Sequence, residues 1–164
     1  MIYIGIDSGE DGAIAVIEER YQENRIEIYD CPKTLQERRN LLESILHMEN
    51  PNFNGHEYVV AAIEKASRTI RIGNKTYHAT VLWGNYQAWL MALVCLDIRH
   101  DKVPARRWQI ILDKNKKLTV KERAWEAACG LYPEAIPLLK GKRGAKKFGR
   151  SDSLMIAEWA RRNL

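Results

Sequence analysis

The chain opens on two apolar runs separated by six polar or glycine positions, and no other feature restricts its fold as much. Ile2, Tyr3, Ile4 and Ile6 make a run too short for a helix, which stops at Asp7; residues 13–17 make the second. Short apolar runs on either side of turn residues predict a β-hairpin, here with an acid where the first strand ends. Gly9 and Gly12 give the connection its backbone freedom and leave room for a bulky group near Asp7. A carboxylate at the end of a buried strand is costly unless something such as a cation partners it. Asp7 could equally begin a turn by bonding its own backbone. Both readings stay open, and the case for chemistry depends on further acids that converge on this one.

A length of 164 residues predicts a single domain, 1–164, large enough to bury a core. No apolar stretch reaches membrane-spanning length and no basic segment leads into an apolar one at the N-terminus. The expectation is a cytoplasmic protein without a membrane partner. Cys31, Cys95 and Cys129 are far apart and in no paired spacing, which predicts reduced structural thiols. The four histidines, at 47, 56, 78 and 100, suggest no metal cluster. The net charge of +5 is unevenly spread. Residues 99–152 hold 15 Lys or Arg against 6 Asp or Glu, so the remainder is net negative. A basic segment beside an acidic body predicts a polyanion-binding protein, with a merely solvated surface as the other reading.

Residues 25–29 (RIEIY) alternate and predict a third strand, ended by Pro32. Thr34 stands three positions before Glu37, a capping-box spacing, and Leu35, Leu41, Leu42, Ile45 and Leu46 predict a helix to about Met48. Residues 50–56 read as a loop. Residues 58–63 (YVVAAI) are unbroken apolar sequence, the mark of a strand covered on both faces. It closes on Glu64. If this strand pairs parallel to the first, both carboxylates reach the same sheet edge; a surface salt bridge of Glu64 to Lys65 or Arg68 is the alternative.

Residues 68–77 are polar and basic and read as a mobile loop. Residues 78–95 predict a helix apolar over more than one face, which is either buried centrally or shared with a second copy in a homodimer. A strand over 98–103, a helix from Pro104 to about Leu112 and a basic turn at 113–117 follow. A helix over 118–129, capped by Thr119 with Glu122, ends at Gly130. Residues 140–150 (KGKRGAKKFGR) predict an arm without structure until it meets phosphate. The last helix, 151–163, places Asp152 in its first turn on the face of Met155, Ile156, Trp159 and Ala160. The helix dipole also favours an aspartate there.

Asp7, Glu64 and Asp152 held in one pocket would repel one another, and a divalent metal would relieve the repulsion. Oxygen ligands without Cys or His favour Mg²⁺ or Mn²⁺. Two such ions about 4 Å apart would activate a water and stabilise the leaving oxygen of a phosphodiester. A basic protein with an acidic metal site is thus a nuclease candidate on chemical grounds. A sugar-kinase or actin-like ATPase shares the acid-glycine hairpin but needs two such domains. A DNA-binding protein that does not cut, its acids mere remnants, is the other alternative.

The element order and the segments IGIDSG at Asp7, AAIEKA at Glu64, VPARRW at 103–108 and GRSDSLMIAEWARR at 149–162 resemble the RuvC family of Holliday junction resolvases, particularly its short phage-type members. The resemblance covers nearly the whole chain. It implies an α/β ribonuclease H-like fold, a central mixed five-stranded sheet flanked by helices. It also implies a Mg²⁺-dependent crossover junction endonuclease with Asp7, Glu64 and Asp152 as catalytic metal ligands, two ions per site, and Lys121 near phosphate. Branched DNA would be the partner, in a bacterial or phage-infected cell, with a homodimer through the 78–95 helix setting two sites on opposed strands. The basic residues expected to touch DNA are Arg68, Arg71, Lys75, Lys116, Lys117, Lys140, Lys142, Arg143, Lys146, Lys147 and Arg150. Two positions depart from the family. Residues 147–149 are Lys, Phe and Gly where a fourth acid or histidine is usual, leaving three protein ligands or a substitute such as Glu158. Ser67 stands where bacterial members place an aromatic that opens the junction, so opening passes to residues 68–77.

Overall fold

The computed structural model describes residues 1–21, 23–47, 58–73, 75–114 and 117–164, with only the backbone path at 70–72. The end of the first helix near Met48, the loop at 50–56 and Lys116 lie outside these residues, as does the side chain of Arg71. Strands β1 (Ile2–Ile6), β2 (Ala13–Glu18) and β3 (Arg25–Asp30) form the expected antiparallel meander. After helix α1 (Leu35–Leu46), β4 (Val59–Glu64) lies parallel to β1 on its other side. Strand β7 (Arg99–Val103) then adds parallel to β4, giving a five-stranded mixed sheet in the order β3-β2-β1-β4-β7.

The central strands are buried on both faces because helices cover both. Ile2, Ile4, Ile6, Val59, Ala61 and Ile63 pack toward α1 and α2 (Thr80–Cys95). Tyr3, Val60 and Ala62 pack toward α4 (Val120–Leu131) and α6 (Phe148–Asn163). Both predicted capping boxes form: the Glu37 N–H donates to Thr34 Oγ1 and the Glu122 N–H to Thr119 Oγ1, each at 3.2 Å. Gly5 has a positional meaning that its sequence context does not announce. A Cβ there would overlap the backbone of Ser153 and Ala157, so α6 lies directly on β1. Short α3 (Ala105–Trp108) and α5 (Ile136–Leu139) complete the helices.

Three expectations are corrected. Residues 68–77 are no loop: β5 (Thr69–Ile72) and β6 (Lys75–His78) pair antiparallel beside Gly73, whose φ is +60°. Alternating β-branched residues around a Gly-Asn step outweigh the charge that suggested disorder. Residues 140–150 are no structureless arm. Lys147 N–H donates to Leu139 O (3.2 Å) and Gly141 N–H to Ala145 O (2.8 Å), closing a compact basic loop with Arg143 and Gly144 at positive φ. Arg150 locks it by donating to Asp30 Oδ1 (2.7 Å) and Oδ2 (2.9 Å) and to the carbonyls of Leu138 and Lys140. That guanidinium holds the Asp30 carboxyl below its ordinary range. Finally, α6 starts at Phe148, so Asp152 is its fifth residue and lies beyond the first turn. The helix dipole therefore explains little of its placement.

Candidate functional site

Register builds the site. Ile6 pairs with Ile63 across parallel β1 and β4, so the next residues, Asp7 and Glu64, emerge at the same sheet edge. Helix α6, pressed on β1 at Gly5, delivers Asp152 to that edge from above. All three carboxylates line one open cleft of about 680 Å³, together with Lys121 from α4 and residues 145–149.

Each acid has a distinct environment. Asp7 Oδ1 accepts the Gly9 N–H at 3.0 Å, so the local turn and the cleft position coexist. Glu64 Oε2 accepts Trp108 Nε1–H at 3.0 Å in place of the salt bridge considered for it. Asp152 Oδ1 is buried with no hydrogen-bond partner. Burial raises the Asp7 carboxyl above its ordinary range, against the opposing Gly9 N–H and Lys121 charge. Glu64 is pushed up to about 7 by burial and then by the Asp7 charge, against the Trp108 hydrogen bond. Asp152 is also pushed up to about 7, by burial and then by Asp7 and Glu64, with Lys121 opposing. The acids thus feel one another's charge, as groups sharing a pocket do.

Among the described residues, no three His, Cys, Asp or Glu side chains form a ready-made metal shell. Two of the three acids are instead turned to protein donors. Their chemistry nevertheless fits a hard divalent cation: an all-oxygen donor set, mutual repulsion, and one orphaned buried oxygen on Asp152.

The basic residues divide. Lys121, Lys146 and Lys147 line the cleft, and exposed Lys140, Lys142 and Arg143 stand on the adjoining loop. Lys146 Nζ lies 5.3 Å from the Trp125 ring centroid. Arg68 stacks over Trp83 (4.7 Å), Lys75 is exposed on β6, and Lys117 is exposed before α4. Arg150 is committed to the Asp30 latch, which removes it from the surface set.

Glu158 is corrected as a substitute ligand. It is 1 % exposed and bonded to Tyr132 Oη (2.6 Å), Arg161 Nε (2.7 Å) and Arg162 Nε (2.6 Å), away from the cleft. Burial would raise its carboxyl, but the Arg161, Tyr132 and Arg162 bonds together hold it below the ordinary range. Gly149 could carry no acid either, because a Cβ there would overlap the Asp11 carbonyl. Sequence reasoning missed Trp108, although VPARRW was singled out, and missed that Glu10 and Asp11 line the same cleft. The polar hairpin connection beside Asp7 was the available signal for those two.

Solved structures give the architecture a name. A structure of Thermus thermophilus RuvC in complex with a Holliday junction substrate superimposes with a TM-score of 0.58 at 15% identity, covering 97% of this chain and 92% of that one. The fold is that of RuvC. A second Thermus thermophilus RuvC structure matches the RuvC fold of this chain equally, with a TM-score of 0.58, 16% identity and the same coverage. No protein-family model matches the sequence, and no curated protein does.

Titration of the cleft has a direct consequence for stability. Glu64 and Asp152 have folded-state values above their unfolded ones, so the stabilisation from burying them neutral is complete at acid pH and is lost as pH rises through about 7. The metal-free protein should melt at a lower temperature at pH 8 than at pH 5.5, and Asp152→Asn should flatten that slope. Thermal melts in EDTA check it; a melting temperature independent of pH, or rising, refutes the assignment.

Proposed function

We propose that residues 1–164 form one divalent-metal-dependent DNA endonuclease domain that cuts four-way junctions or other branched DNA. The observation that carries this reading is the cleft itself, in which three mutually repelling carboxylates sit below a lysine rim. The likeness to RuvC bound to a Holliday junction substrate supports the choice of branched DNA.

Asp7, Glu64 and Asp152 would hold Mg²⁺ or Mn²⁺, two ions in the full site, and the metal would supply activation of water and stabilisation of the leaving oxygen. The chain's own residues do the rest. Trp108 fixes the carboxylate of Glu64 through its indole N–H. Lys121 offsets part of the negative charge on Asp7 and Asp152 and stands where a scissile phosphate would enter. Lys146 and Lys147, with Lys140, Lys142 and Arg143 behind them, hold the backbone against the acids' repulsion. Arg68, Lys75 and Lys117 extend the basic surface beyond the cleft, and the β5–β6 ribbon with exposed Tyr77 is the element that parts the strands.

Two sites on opposed strands require two copies. Helix α2 buries Tyr86, Trp89, Ala92 and Leu93 yet leaves Val81 (68 %), Met91 (57 %) and Val94 (64 %) exposed, an apolar face suited to a second α2. Light scattering should give twice the 19.0 kDa chain mass, and Met91→Glu should shift it toward the monomer. A 19.0 kDa species at micromolar concentration would remove the dimer. No helix among the described residues is long and apolar enough to cross a membrane. We place the enzyme in the cytoplasm of a bacterial or phage-infected cell.

The test is incubation with a synthetic four-way junction and Mg²⁺ beside linear duplex and splayed forks. Paired nicks in the junction, absent in EDTA, are expected. Tight binding with an intact junction after long incubation would instead identify a binding protein that does not cut.

A further inference from the structure

Beside the acid cleft lies a second, smaller cavity of about 230 Å³, walled by Gly9, Glu10, Cys31, Lys33, Arg38 and Asn85 among others. Arg38 is the unusual residue. It projects from α1 into the interior, is 3 % exposed, and lies 5.4 Å from the Trp89 ring centroid. Its guanidinium donates from Nε to Pro32 O (2.9 Å), from Nη1 to Asn85 O (3.2 Å) and from Nη2 to Asn85 Oδ1 (2.9 Å). Every one of those acceptors is neutral. Among the described residues Arg38 has no ion pair, whereas Arg150, Arg161 and Arg162 all meet carboxylates.

A buried cation whose charge is not neutralised is costly, and an incoming anion would remove that cost. A guanidinium has five N–H groups, of which three are used here, which leaves one on Nη1 and one on Nη2 to donate to an anion. The surroundings add positive potential. Lys33 is exposed at the rim, and it immediately precedes Thr34, the N-cap of the twelve-residue α1, whose positive dipole end therefore faces this region. Glu10 is the opposing charge in the wall. Gly9 and Glu10 line this cavity and the acid cleft alike, so both border the β1–β2 turn.

We propose that the cavity at Arg38 and Lys33 is a phosphate-binding subsite that receives a backbone phosphate of the same DNA strand whose neighbouring phosphodiester enters the acid cleft. The proposal rests on the nuclease reading for its ligand and on the unneutralised Arg38 for its chemistry. It assigns α1 a part in holding the strand, in addition to its packing on the sheet.

The experiment measures four-way junction affinity over a salt series, with Ca²⁺ replacing Mg²⁺ so that cutting does not intervene, and inorganic phosphate binding by calorimetry. For Lys33→Ala the slope of log affinity against log salt should become shallower by about one. Arg38→Gln should do the same, and the double variant should lose about one rather than two, because both side chains hold a single phosphate. Glu10→Gln should tighten binding. If Arg38→Gln does not fold, Lys33→Ala and Glu10→Gln, changing affinity in opposite directions, decide the matter. A junction-binding protein whose slope and affinity are unaltered by Lys33→Ala overturns the subsite and leaves the nuclease reading intact. Failure of the wild type to bind any junction overturns the nuclease reading; the calorimetric arm then decides alone. Heat from inorganic phosphate that Lys33→Ala abolishes supports a site for the free anion, and no heat overturns it.

Discussion

Asp152→Asn is expected to leave junction binding within a few-fold of wild type and to lower single-turnover cleavage by on the order of 10³-fold or more, equivalent to about 4 kcal/mol of barrier. The substitution keeps shape and removes one negative charge and one anionic oxygen donor from the set of three. Asp152 is the sharpest position because its Oδ1 is buried and has no hydrogen bond, so no other structural duty accounts for it. The same change removes a charge that burial and the charges of Asp7 and Glu64 oppose, so the metal-free variant should be no less stable than wild type near pH 8. Asp7→Asn should also suppress cleavage, with the amide oxygen taking over as acceptor for the Gly9 N–H. Gel-shift titration and single-turnover nicking measure the two quantities separately. Cleavage by Asp152→Asn at the wild-type rate would detach the cleft from the chemistry.

Gly5→Ala should destabilise the fold by about 3 kcal/mol or more, at the upper end for a single added methyl group in a packed core. The new carbon would fall on the carbonyl of Ser153 and the amide of Ala157. Both are backbone atoms of α6, so no rotamer change relieves the overlap and the helix must lift from β1. Gly130→Ala in α4 is the matching control, since nothing lies within 4 Å of a Cβ there. Chemical denaturation should show a large drop for the first and a change near zero or slightly stabilising for the second. Because Ser153 adjoins Asp152, the Gly5 variant should also bind divalent cations more weakly in whatever fraction stays folded. Equal stability of the two glycine variants would mean that α6 does not press on β1 as described.

Local chemistry was legible in the sequence. The capping boxes at Thr34 and Thr119, the alternating strand at Arg25 and the unbroken run before Glu64 each carry their signal within a few residues, and each forms as expected. The gathering of Asp7 and Glu64 was legible too, because both end strands and parallel pairing leaves them no other edge. What failed was weighting or distance. At residues 68–77 charge was weighed above turn geometry, and a hairpin was missed. The loop at 140–147 owes its order to backbone bonds and to Arg150 reaching Asp30, 120 positions away, and nothing in its composition records that partner. Trp108 and Glu64, 44 positions apart, pose the same difficulty. The solitary Gly5 looked like an ordinary strand residue because its reason lies in a helix near the other end of the chain.

The seating of α6 against Gly5 also orders events in time. Synthesis produces the first carboxylate almost at once and the third only after the basic loop, so a nascent chain carries two acids of an incomplete set until that helix has emerged and docked. A chain cut short before Phe148 would lack the third carboxylate and, with it, the cleavage proposed for the cleft.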